Sequence, residues 1–269
     1  MATNQYPSTF HPQSSSKSTA LVRPPGKSFV HGLSQHSDTM VDFDLALDQH
    51  DRYCKTLKDL GLEIVSLPVL EDHPDSCFVE DTVLITELVA IITRPGHPSR
   101  LNEIEDVKDL LKSQSLIIES IKAPGTLDGG DVLRVHNQFF IGRSQRTNQS
   151  GAWQLGNILT RYGFTTTEIP VKDFLHLKSV VTWLGGSVLI GHQDLEPHFQ
   201  QPPRYQWIVP EQSELKCANT LRIHDRVLVP GGCPKTETII SKLGFNTICL
   251  DISEFEKKDG SLSCLSVVF

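Results

Sequence analysis

From Thr19 onward, apolar residues come in short paired runs separated by turn chemistry, the pattern of adjacent antiparallel strands. Thr82–Thr86 pairs with Val89–Thr93, Asp131–Val135 with Gln138–Gly142, Ser179–Trp183 with Ser187–Gly191, and Asn219–Ile223 with Arg226–Pro230. Their linking residues, such as His136-Asn137, Gly185-Gly186 and His224-Asp225, suit tight turns. The pairs recur at intervals of roughly 40 to 50 residues, so a repeat architecture is predicted.

After most hairpins the apolar spacing changes to three and four, which predicts helices. Ala46, His50, Tyr53, Leu57 and Leu60 form one stripe, Ile104, Val107 and Leu111 a second, and Ala152, Leu155 and Leu159 a third. Ile239 and Leu243 make a shorter fourth that starts at Pro234, a favoured first-turn residue. Three helices close on one device: Gly61, Gly163 and Gly244 supply a left-handed exit, and an apolar residue follows each. The strands LEIVSLPV, FTTTEIPV and FNTICLDI come next. TALVRP near Thr19 and the C-terminal CLSVVF then count as two strands of one unit split between the chain ends.

Five units of hairpin, helix and strand result. The expected fold is α/β, a ring-closed, five-fold pseudo-symmetric α/β propeller with its small-molecule site on the axis. An ordinary α/β sandwich is the alternative. Residues 1–18 are rich in Ser, Gln and Pro and are expected to be a disordered tail, with 19–269 a single catalytic domain. The stretch from His192 to Leu215 is polar and contains Pro, so that unit is expected to be irregular.

Composition narrows the function. With 269 residues and 38% hydrophobic content the chain can bury a core, and a formal net charge of −7 argues against nucleic acid as a partner. No run approaches the about 20 apolar residues that cross a bilayer, and the N-terminus lacks the core of a secretory signal, so a soluble cytoplasmic protein without a membrane partner is expected. Six scattered cysteines without a Cys-x-x-Cys pair predict neither a zinc site nor a disulfide framework. Asn148-Gln149-Ser150 reads as a chance match to the glycosylation pattern.

Candidate chemistry collects at the starts of the units. Glu80 and Asp81 open one, Asp128 and Asp131 the next, His176 the following one, and Cys264 the unit shared by the chain ends. Each has a bland alternative: Asp-Gly-Gly-Asp as a turn, a histidine between leucines as a packed residue, a cysteine as a small hydrophobe. Shared register is what lifts them. Carboxylates on an axis suit a planar guanidinium, a thiolate is a soft nucleophile for its carbon, and a histidine beside a carboxylate can protonate a departing amine.

HPDSCFVEDT, ITRPGHPSR, TLDGGDVL, FFIGRSQRTNQSGA, HLKS, CAN and DGSLSCLSV occur in this order between Ala20 and Phe269. In these motifs the chain resembles the dimethylarginine dimethylaminohydrolases of the guanidine-modifying, or pentein, superfamily. The resemblance implies the five-unit propeller, conversion of asymmetric dimethylarginine or monomethylarginine to citrulline plus dimethylamine or methylamine, and no cofactor. It implies Cys264 as nucleophile, His176 as proton donor and Asp128 as the residue orienting it. Asp75, Glu80, Asp81 and Asp259 would contact substrate, Asp81 on the guanidinium, with Arg100 and Arg146 on the α-carboxylate and Leu33 on a mobile loop over the site. No metal ligand is implied, and Leu265 stands where animal members often carry a second cysteine after the nucleophile. The partner is then a small guanidinium amino acid, and the chain a monomer or homodimer. Two alternatives stay open: an arginine or agmatine deiminase, or an amidinotransferase, of the same superfamily, and a non-catalytic guanidinium-binding module.

Overall fold

In the computed structural model, which describes residues 18–35, 39–113, 116–200 and 204–269, each paired apolar run is a hairpin. The first sheet joins the two chain ends: β1 (Thr19–Val22) lies antiparallel to β15 (Ser266–Val268) and parallel to β2 (Glu63–Ser66). The next three hairpins are β3 (Val83–Ile85) with β4 (Ala90–Ile92), β6 (Val132–Val135) with β7 (Gln138–Arg143), and β9 (Val181–Gly185) with β10 (Val188–Gly191). β12 (Leu221–Ile223) and β13 (Arg226–Pro230) form the last. A third, parallel strand completes each sheet: β5 (Ile118–Ser120), β8 (Thr165–Pro170), β11 (Gln206–Ile208) and β14 (Asn246–Leu250). β5 and β11 are short and half-buried, too short to show a periodicity of their own.

The helices fall on the predicted stripes: α1 (Phe43–Asp59), α2 (Glu105–Ser113), α3 (Gln149–Arg161) and α4 (Pro234–Lys242), with a one-turn α5 (Ser253–Glu256) besides. Asp42 caps α1 by accepting from Leu45 N at 3.1 Å, and Asn148 caps α3 by accepting from Gly151 N at 2.8 Å. Asn148 thus has a structural use inside the glycosylation-like triplet. At the C-terminal ends, Gly61, Gly163 and Gly244 take positive φ of 93°, 85° and 89°. The next N–H reaches back each time: Leu62 to Leu57 O, Phe164 to Leu159 O and Phe245 to Ile240 O.

The first strand of each hairpin faces its counterpart in the neighbouring unit; β15 packs beside β3, β6 beside β9, and β9 beside β12. Five three-stranded sheets are therefore arranged around one axis, with the helices outside and the apolar clusters between them.

The fourth unit is the irregular one. Where the others carry an α-helix it has a 3-10 segment, Gln193–Phe199, with Pro197 inside. A second 3-10 segment, Gln212–Ala218, brings Glu214 to the start of α4, where its carboxylate accepts from Lys235 N at 3.1 Å and Thr236 N at 2.7 Å. The expectation of no disulfides needs one correction: Cys217 and Cys233, with Cα atoms 6.2 Å apart, are bridged. They lie 16 residues apart in sequence, and only the packing of that 3-10 segment against α4 makes them neighbours. Apart from Ser18, the expected disordered tail lies outside the described residues. Among those described, no helix is long and apolar enough to cross a membrane.

Candidate active site

The units' starts are tight 3-10 turns that end where the axial strands begin: Val79–Thr82 before β3, Gly129–Asp131 before β6, and Ser263–Leu265 before β15. Their side chains gather at one end of the axis. A cavity of about 30 Å³ there is lined by Leu33, Asp75, Asp81, Arg100, Arg146, His176, Asp259 and Cys264, eight of the ten residues expected from sequence. Phe78, Leu175, Lys258 and Gly260 line it as well. Their signals were weak: Lys258 sits in a charged run that reads as a solvated face, and Phe78 and Leu175 read as packing residues.

Asp128, the ninth, lies behind the cavity and is fully buried. One of its oxygens is 2.9 Å from His176 Nε2, and the other accepts from Gly96 N at 2.7 Å. Close approach between units is what places this pair. A Cβ on Gly130 would come within 2.8 Å of the His176 ring and 2.9 Å of Asp81 Oδ1, so the second glycine of Asp-Gly-Gly-Asp makes room rather than a turn. Gly130 N also donates to Asp81 Oδ1 at 2.8 Å. Asp131, one turn residue further, is fully buried too; it accepts from Ser144 Oγ at 2.6 Å and from Leu177 N at 2.9 Å, fixing the backbone next to His176.

Two residues are placed differently from the expectation. Glu80 points away from this cavity, to the other side of the axial turns, where Lys178 Nζ at 2.6 Å and Ser263 Oγ at 2.9 Å satisfy it. Successive side chains in the turn diverge, and a buried carboxylate stays with a cation. Arg100 touches the cavity, but four of its five N–H donors are engaged: Nη1 on Asp81 at 2.5 Å, Nε on Glu103 at 3.0 Å, and Nη2 on Glu103 at 2.8 Å and Phe78 O at 3.0 Å. At 3% exposed, it braces Asp81 from beneath. Arg146 is the arginine with donors to spare; its nearest carboxylate oxygen, on Asp128, is 3.7 Å away.

The electrostatics follow from this packing. Burial opposes a charge on His176, but the Asp81 carboxylate and the hydrogen bond to Asp128 outweigh it and raise the imidazole to about 9. Burial likewise opposes ionisation of Asp81, yet the positive His176 and Arg100 hold it near 2. The site therefore contains an imidazolium and a carboxylate at neutral pH. Burial, reinforced by the charges of Glu80 and Asp81, pushes the Cys264 thiol far above its ordinary value, so in the empty site it is protonated.

Asp81, Asp128 and His176 are also the one trio among the described residues whose potential ligand atoms lie within 4.8 Å of one another. Each already has its partners in this network, Arg100 and Gly130 N for Asp81, Gly96 N and His176 for Asp128. The donor set is that of a proton-holding network.

A loop closes the mouth. Leu33 N donates to Asp75 at 2.9 Å and Gln35 N to Asp259 at 2.6 Å. Phe29, at the base of the loop, is held by Phe78 and Phe255 with ring centroids 5.9 and 5.3 Å apart.

No family model matches the chain. Curated relatives do. The chain is 37% identical over 252 residues to the N(G),N(G)-dimethylarginine dimethylaminohydrolase of Pseudomonas aeruginosa, covering 93% of this chain and 98% of that protein. It is 39% identical over 249 residues to the enzyme of the same name from Streptomyces coelicolor, covering 92% and 95%. A solved structure of a cysteine-to-serine variant of the Pseudomonas enzyme, complexed with citrulline, superimposes with a TM-score of 0.90 at 36% identity over 93% of this chain and 98% of that one. With an axial cysteine, histidine and carboxylates at the one end of a five-unit α/β propeller, and with relatives matched over nearly their whole length, the chain belongs to the dimethylarginine dimethylaminohydrolase family of pentein-fold hydrolases.

Proposed function

We infer that this protein hydrolyses N-omega-methylated arginines, asymmetric dimethylarginine and monomethylarginine, to citrulline and dimethylamine or methylamine. The observation that carries the reading is the convergence of Cys264, His176 and Asp81 on one cavity, where the neighbouring carboxylates raise His176 and the positive His176 and Arg100 lower Asp81. An imidazolium is a proton donor, a carboxylate localises a cation, and the thiol needs one further positive neighbour to outweigh burial and the carboxylate charges.

Substrate supplies that neighbour. A guanidinium seated on Asp81 offsets the carboxylate charges that keep Cys264 protonated, and the thiol proton leaves to solvent. Cys264 Sγ then attacks the guanidinium carbon to give a tetrahedral adduct. His176 protonates the methylated nitrogen, the carbon–nitrogen bond breaks, and the amine departs, leaving an S-alkylthiouronium on Cys264. The now neutral His176, steadied by Asp128, takes a proton from water as that water attacks the same carbon. Collapse expels the Cys264 thiolate, the hydroxyl proton passes to it to restore the thiol, and citrulline is released.

In this reading Arg146, whose nearest carboxylate oxygen is 3.7 Å away, holds the substrate's α-carboxylate, with Arg100 acting through Asp81. Asp75 and Asp259 accept from the α-ammonium once the Leu33 loop lifts from them. It must lift, because about 30 Å³ is a small fraction of the roughly 300 Å³ at which ligand pockets begin.

The test is product analysis with asymmetric dimethylarginine, monomethylarginine, arginine and agmatine. Citrulline is expected with stoichiometric amine from the methylated pair, Cys264→Ser is expected to abolish turnover, and acid-quenched protein is expected to carry its added mass on the Cys264 peptide. Ammonia from arginine with no amine from the methylarginines would refute the reading.

A further inference from the structure

The axial strands run away from the candidate active site, and at the opposite end of the axis lies a second, larger cavity of about 500 Å³. That size falls within the range of about 300 to 1,000 Å³ typical of ligand sites. The Lys178–Glu80 ion pair, at 2.6 Å, lines the cavity where it approaches the catalytic turns. Val83, Ile85, Val132 and Val267 give it aliphatic walls.

Its charges are unevenly committed. Arg134 is neutralised by both oxygens of Glu87, at 2.8 and 2.9 Å, and Lys178 by Glu80. Arg222 has no carboxylate partner among the described residues. Its Nε donates to His224 O at 3.0 Å and its guanidinium carbon lies 5.1 Å from the centre of the Trp183 ring, while the terminal nitrogens have no hydrogen bond or ion pair among the described residues. Two residues earlier in the chain, Thr220 is 1% exposed and its hydroxyl is a buried polar group without a partner among the described residues. Thr220, just before β12, and Arg222, within it, both line the cavity. A buried hydroxyl left unmatched is destabilising, so it marks a place where an acceptor is wanted.

We propose that this axial cavity is a second ligand site that takes a monocarboxylate with a short unbranched hydrocarbon body. The carboxylate accepts from the Arg222 terminal nitrogens and from the Thr220 hydroxyl, and the hydrocarbon lies on the valine and isoleucine walls. One open positive charge matches one negative charge; a dianion such as phosphate would carry excess charge towards Glu80. The site is separate from the hydrolytic one and does not depend on the reading of that chemistry.

Calorimetric titration of the full-length protein with hexanoate and octanoate tests it, with 1-octanol as the uncharged control. Octanoate is expected to bind saturably at one site, more tightly than hexanoate, and about tenfold or more tightly than 1-octanol, as a charge-assisted contact requires. Arg222→Gln should weaken octanoate by about tenfold and Thr220→Val by about threefold to tenfold, in line with one hydrogen bond each. Both variants should stay folded and keep the parent's turnover of methylarginine, since neither residue lines the catalytic cavity. Absence of saturable octanoate binding, or octanoate affinity unchanged in both variants, overturns the proposal.

Discussion

His176 and Asp81 hold opposite charges in a space where neither would be charged alone. His176 is raised to about 9 from an ordinary 6.5, so the stability it contributes is fully present below about pH 6.5 and is lost as pH rises through about 9. Asp81 is depressed to about 2 from 3.8, so its contribution is present above about pH 3.8 and lost as pH falls through about 2. Asp128→Asn removes the charged partner that His176 touches at 2.9 Å. The expected outcome is an imidazole that titrates lower, so that the alkaline limb of kcat moves to lower pH. A pH profile of the variant beside the parent reads this directly, and an unmoved limb would mean that Asp128 does not set the histidine's charge. Which residues would gather was legible in sequence at this scale, since Cys264, His176 and Asp128 were each singled out from their places in the chain and meet at one end of the axis. Where Glu80 and Arg100 point was not, because a side chain's direction out of a 3-10 turn depends on the cation or carboxylate that another unit offers it.

At the scale of elements, glycines in this chain serve two distinct purposes. Gly163 ends α3 with φ of 85° and open space where a Cβ would go, whereas Gly130 has the His176 ring 2.8 Å from that point. Gly163→Ala is therefore expected to cost about 1 kcal/mol of stability through its left-handed backbone alone, with kcat unchanged. Gly130→Ala should cost about 1–3 kcal/mol by overpacking and lower kcat by about 100-fold by displacing the proton donor. Denaturant unfolding combined with steady-state kinetics separates the two, and equal kinetics would show that the crowding at Gly130 is absorbed elsewhere. The helices and their caps were readable because their signals are local: apolar spacing, an Asp or Asn ahead, a Gly behind. β5 and β11 escaped because three residues paired to a neighbouring strand carry no periodicity of their own.

For the molecule as a whole, closure is the decisive feature. Thr19 and Phe269 exchange backbone hydrogen bonds of 2.6 and 2.9 Å, so the first sheet exists only when the two chain ends meet. Cys264 stands two residues before β15, at the offset that Asp81 holds before β3. Removing Val267, Val268 and Phe269 is expected to cost about 3 kcal/mol or more, because Val267 is part of the core and β1 loses its antiparallel partner. Activity should fall with it, since the turn carrying Cys264 is then anchored at one end. Thermal melting and turnover of the truncated chain check this; a melting temperature within about 2 °C of the parent, less than about 1 kcal/mol in a domain of this size, would show that the ring does not need its last strand.

Taken alone, the sequence determined the five-unit plan and the helix ends and singled out Cys264, His176 and Asp128 as candidates, because each of these is written in short-range spacing or in motif order. Tertiary structure decided the rest. It turned Glu80 to Lys178 and spent Arg100 on Asp81 and Glu103, leaving Arg146 with donors to spare. It joined Cys217 to Cys233, and it left Thr220 and Arg222 facing a cavity that no local pattern announces. All of these are meetings between different units, or between segments many residues apart, and a charge or a polar group finds its partner there only after the chain has closed on itself.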